Sequence, residues 1–119
     1  MITSKDLMIG DWYAFRGHPY KCTASDIASI AECEEKGAPT DISEIPLTAE
    51  ILEKNGFSKS RLMGEQRHFT YYLAPSVSLL AIYDADFSLT IGACARYIKY
   101  VHQLQHALRL CHVEKEIEL

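Results

Sequence analysis

Read for its hydrophobic and polar positions, the chain has its longest helical period over residues 96–111, RYIKYVHQLQHALRLC. At about 100° per residue, Tyr97, Tyr100, Val101, Leu104, Leu108 and Cys111 fall on one side. Ile98 and Ala107 stand at the margins of that side. The arc covers about half the circumference, wider than a single apolar stripe, and predicts a long helix lying across a sheet. Lys99, His102, Gln103, His106 and Arg109 fall opposite and predict a solvated side. Leu110 stands among them, and one buried face does not account for it. The wide arc and this stray leucine make Leu110 and Tyr100 the candidate interface residues.

Elsewhere the period shortens. Residues 12–16 and 20–24 flank Gly17-His18-Pro19 and predict a hairpin. A Gly-Asp pair, an aromatic strand and a Gly-x-Pro turn are also how a small SH3-like barrel opens, an analogy that carries no ligand with it. Trp12, Tyr13, Phe15 and Tyr20 read as core rings of such a hairpin rather than as a ligand platform. Residues 4–8 predict one helical turn capped by Thr3 or Ser4. Residues 27–33 are a second apolar run, followed by a charged stretch and a Gly-Ala-Pro loop, and residues 41–45 predict a short strand.

The sharpest local signal is PLTAEILEKNGF at 46–57. Thr48 is a natural N-cap, Glu50 suits the first turn, and Asn55-Gly56 with Phe57 is a Schellman ending. This predicts a short helix at about 48–55. Residues 58–64 read as a loop. Phe69, Tyr71 and Leu73 alternate with polar positions, Pro75 breaks the pattern, and residues 77–83 are almost continuously apolar. Asp84-Ala85-Asp86 reads as a turn before Phe87, Leu89 and Ile91 alternate again. Gly92 to Ala95 are small and predict a close crossing into the long helix. At the end Val113, Ile117 and Leu119 alternate with Glu114, Glu116 and Glu118, the pattern of an edge strand guarded by charge. Strands in runs, with helices segregated from them, predict one α+β domain over 1–119. Its parts would be an antiparallel sheet with the SH3-like hairpin region, helices at about 48–55 and 96–111, and the edge strand.

Composition narrows the chemistry. A chain of 119 residues with net charge −4 is one domain by size and is not built as an electrostatic nucleic-acid binder. The opening MITSKDLM has no apolar core of a signal peptide, and no run approaches a membrane span. A cytoplasmic location is therefore expected. Cys22, Cys33, Cys94 and Cys111 match neither a redox pair nor zinc knuckles and read as reduced thiols. No catalytic constellation or cofactor motif stands out. His102 and His106 are four apart on one helix side, the spacing that can share a metal, but HQLQH lacks the glutamate of the H-E-x-x-H hydrolases. Lys54, Lys59, Arg61 and Arg67, with His68, form the most basic region and the candidate nucleic-acid patch, without a phosphate loop beside it.

Residues 7–23, 46–57 and 97–111 together resemble a family of small uncharacterised proteins encoded in gut-bacterial genomes, often in phage or mobile-element neighbourhoods. The likeness rests on the Gly-Asp hairpin, the Pro-Leu-Thr helix ending in Asn-Gly-Phe, and the late helix with Tyr-Val-His-Gln-Leu-Gln. Members carry a glycine after the late helix where this chain has His112. The motifs are structural, so the resemblance implies a scaffold and no activity. The expectation is a non-enzymatic accessory or interaction module with a protein partner or a second copy of itself. A weak nucleic-acid-associated protein using 54–68 stands as the alternative, and a metal-dependent enzyme at His102 and His106 as the third reading.

Overall fold

Two residues make the first hairpin. Arg16 and Gly17 both have positive φ, 52° and 82°, the geometry of a two-residue turn whose twist matches its strands. The turn joins β1 (Trp12–Phe15) to β2 (His18–Lys21), with Tyr13 opposite Tyr20 and Phe15 opposite His18. Pro19 therefore sits inside a strand, opposite Ala14, rather than in the turn. The computed structural model describes residues 2–61, 69–74, 77–83, 86–92 and 94–119. The break expected at Pro75 and the first two residues of the turn expected at Asp84-Ala85-Asp86, with Arg67 and His68, lie outside these residues.

The chain then forms α1 (Ala24–Glu35), β3 (Ile42–Ser43) and α2 (Ala49–Lys54). Next come β4 (Ser58–Arg61), β5 (Phe69–Ala74), β6 (Val77–Tyr83), β7 (Asp86–Ile91) and β8 (Cys94–Ile98), and last α3 (Val101–Leu110). The strands build two antiparallel sheets, ordered β2-β1-β3 and β4-β5-β6-β7-β8. The fold is α+β, as expected.

Each sheet has its own core. Tyr13, Cys22, Ile30 and Ile42 close with Ile2 and Leu7 into the smaller cluster, beneath α1. In the larger, Val101, Leu104, Ala107 and Leu108 of α3 pack on Tyr71, Val77, Leu79, Phe87, Leu89 and Ile98. Leu52 of α2, Phe57 and Ile117 complete it. Burying each such side chain is worth about 1.5–3 kcal/mol. β1 divides its residues between the two cores: Trp12 packs against the larger, Tyr13 belongs to the smaller.

Several boundaries differ from the sequence reading. The long helix does not start at 96: residues 94–98 are an edge strand paired with β7, and Tyr97 is 75 % exposed. Ser88 pairs with Tyr97 and Phe87 with Ile98, so Tyr97 lies on the sheet face away from α3 and Ile98 on the face beneath it. The 27–33 run is part of a twelve-residue helix whose N-cap, Thr23, accepts from the Asp26 amide at 3.2 Å. Residues 58–61, read as loop, form β4. The C-terminal edge strand is absent as a strand, although its alternation is real: Ile117 is buried, Val113 and Leu119 are half-buried, and all three glutamates are exposed. Side chains hold that tail instead of a ladder. Asn55 Nδ2 donates to Glu118 O at 2.8 Å while its Oδ1 accepts from the Glu118 amide at 2.6 Å, and Trp12 Nε1 donates to Ile117 O.

Both α2 and α3 end in Schellman geometry. The Phe57 amide donates to Leu52 O and the Val113 amide to Leu108 O. Gly56 supplies the left-handed residue in the first, and His112, at φ 58°, takes the same place in the second.

Candidate functional site

Three polar residues of α3 grip the segment that leads into β1. Gln105 Nε2 donates to Gly10 O at 3.0 Å, and Gln105 Oε1 accepts from the Trp12 amide at 2.9 Å. Between these two contacts lies Asp11, with no solvent exposure. Its carboxylate accepts from the Met8 amide at 2.7 Å, from Arg109 Nη1 at 2.5 Å, and from His106 Nε2. The Asp11 amide donates back to Met8 O, so residues 8–11 are closed from both directions. Gly10, at φ 93°, lies so near Arg109 that a Cβ there would come within 3.2 Å of the guanidinium. Glycine is what lets the loop lie flat on the helix.

Burial pushes the Asp11 carboxyl up, but the His106 hydrogen bond, the Met8 amide, the His106 charge and Arg109 outweigh it. The net direction is down, so Asp11 is an anion at neutral pH, held by the Met8 amide, His106 and Arg109 in place of water. With Nε2 directed at Asp11, the His106 ring has Nδ1 left for other contacts.

His102, one turn back, is buried, and its ring stacks on Tyr100 at 6.1 Å and meets His106 edge-on at 5.6 Å. Its Nδ1 has no hydrogen-bond partner among the described residues. Burial, and then the neighbouring His106 charge, lower the His102 pKa against the opposing pull of Asp11, Asp6 and Glu44. The side of α3 that the wheel assigned to solvent is thus partly covered: His102 is 7 % exposed, and Gln103, His106 and Arg109 are half-buried. Residues 3–11 cover it, and no local pattern announces this because Asp11 lies 95 residues from His106 in sequence.

The ionic network fixes a loop whose tip faces water. Met8 is 48 % and Ile9 66 % exposed, and Leu110, beside the Arg109 that holds Asp11, is 73 % exposed. Lys21, Arg109, His112, Lys115, Glu114 and Glu116 surround Ile9 in an open cleft with both signs of charge.

The residues nominated by sequence are distributed as follows. Leu110 is exposed, whereas Tyr100 is half-buried and committed to the His102 ring. His102 and His106 do come together, with Asp11 engaging His106. Among the described residues no group of three or more His, Cys, Asp and Glu could hold a metal ion. Lys54 lies in the last turn of α2 and Lys59 on β4, both exposed, and Arg61 ends β4. Cys22 is buried and its thiol is pushed up to about 11, mainly by burial, which makes it unreactive. Cys33 is half-buried and Cys111 exposed, both free. No helix among the described residues is long and apolar enough to cross a membrane.

No family model, no curated protein and no solved structure matches this chain.

Proposed function

We propose that this protein is a non-enzymatic interaction module whose contact face is the Met8-Ile9 loop together with Leu110. The observation that carries the reading is the exposure of Met8 and Ile9 on a segment pinned by a fully buried aspartate, with Leu110 exposed next to the Arg109 that holds that aspartate. Loops left for solvent alone have no need of such a pin. An ordered apolar loop loses little entropy on association, which is where rigid interfaces gain affinity. The occupant we propose is a second copy of the chain. The rim carries Lys21 against Glu116 and Arg109 against Asp11, which leaves Lys115 and Glu114 as the opposite charges a two-fold contact can set against each other. The likeness over 7–23, 46–57 and 97–111 supports an accessory role of phage or mobile-element origin, acting in the cytoplasm. Light scattering coupled to size exclusion tests the reading. We expect a dimer, and a monomer for Leu110→Asp and for Ile9→Asp. A monomeric native chain would defeat it.

A further inference from the structure

At the start of α3 a cavity of about 330 Å³ opens between the helix, β8 and the single 3-10 turn at Ser4–Asp6. That is the low end of the ~300–1,000 Å³ typical of small-molecule sites. Its walls include Lys5, Arg96, His102 and Gln103, which offer donors, with Asp6 and His106 beside them. The Gln103 oxygen is already used, accepting from the Lys99 amide at 2.8 Å and the Tyr100 amide at 3.1 Å. Its NH2 remains. His102 is nine-tenths buried, and its Nδ1 is shut off from solvent without a partner among the described residues. A proton there would be a donor with no acceptor, which favours the tautomer with the proton on Nε2. Nε2–H is the group this side chain can turn to the cavity. Lys5 and Arg96 add two full positive charges. Asp6 is the acidic member of the wall, and one oxygen of its carboxylate, Oδ2, is engaged by the Thr3 amide at 2.9 Å and the Thr3 hydroxyl at 3.1 Å. The cavity also adjoins the positive end of a ten-residue helix.

We infer that this cavity binds a phosphate-class oxyanion, carried as a small phosphate monoester, between Lys5, Arg96, His102 and Gln103. The ligand supplies acceptors to Lys5, Arg96, His102 and Gln103, and the volume leaves room for the group attached to the phosphate. This site is separate from the Met8-Ile9 face and stands whether or not the chain dimerises.

The test is an NMR titration of the full chain with inorganic phosphate and with phenyl phosphate at constant ionic strength, following the His102 ring and the Gln103 side-chain amide. We expect saturable shifts at both, tighter for phenyl phosphate. Arg96→Ala and Lys5→Ala remove exposed side chains, so the fold persists, and each should weaken binding by about tenfold, the scale of one charged hydrogen bond. Shifts that do not saturate, or that are the same in both variants as in the native chain, overturn the inference. Binding of inorganic phosphate with exclusion of phenyl phosphate overturns the monoester.

Discussion

Replacing Asp11 with asparagine isolates the charge at the centre of the network. The amide keeps the shape and can still accept from the Met8 N–H, so the turn over 8–11 survives. What is lost is the anion shared by His106 and Arg109. Removing one partner of a fully buried ion pair costs about 3–5 kcal/mol, because the other charge is left uncompensated. Here the other partners are not fully buried: Arg109 retains 36 % and His106 26 % side-chain exposure. Water can reach them, which places the loss at the low end, about 3 kcal/mol. For a domain of this size that is a fall in Tm of roughly 10 °C. Urea denaturation at neutral pH measures it directly. The pH dependence is a second signature. The folded Asp11 carboxyl lies below its unfolded value of about 3.9, so its contribution is fully present above that value. It is lost as pH falls through the lower folded value, and native and variant chains should converge in acid. A loss under about 1 kcal/mol at pH 7, or a difference that persists unchanged into acid, would refute the reasoning.

Other outcomes follow from particular side chains. His112→Gly removes a left-handed non-glycine residue from the α3 ending and should stabilise the chain by about 1 kcal/mol in thermal unfolding. Asn55→Ala deletes three hydrogen bonds, two of them to the tail, at a cost of about 1–3 kcal/mol, and amide exchange at Glu118 should rise. The His102 ring should titrate below the usual histidine value of about 6.5 in NMR. Its stabilising contribution is complete above that value and is lost as pH falls through the lower folded one, so a ring titrating at or above 6.5 would contradict its buried setting.

Much of the fold is legible in the sequence where signals are local. Thr48, Gly56 and Phe57 mark the ends of α2 because capping needs only neighbours. The alternation around Phe69–Leu73 and Phe87–Ile91 marks strands because one sheet face is buried. The reading fails where two periods coincide. Tyr97 and Ile98 fit the wheel of the late helix, yet they alternate across an edge strand, and no Ser, Thr, Asp or Asn stands before Val101 to mark the true start. α1 is missed because only Ile30 is fully buried along it, leaving little apolar stripe to read. Its one local clue was Thr23 three residues before Asp26, a capping pair. The Asp11 site is invisible for a different reason. Asp11 beside Gly10 reads as a turn, and its partners are chosen by tertiary contact alone. His102 and His106 were legible as a pair, and Leu110 as an oddity, but not the loop that covers the one and neighbours the other.

The interaction face is tested most directly by the mass of the protein in solution. Light scattering across a dilution series, on the native chain and on Leu110→Asp, compares assembly with an unchanged fold, since Leu110 is exposed and contributes little to the core. A native dimer that becomes a folded monomer in the variant is the predicted result. A native chain that is monomeric at every concentration, or a dimer that Leu110→Asp leaves intact, would contradict it.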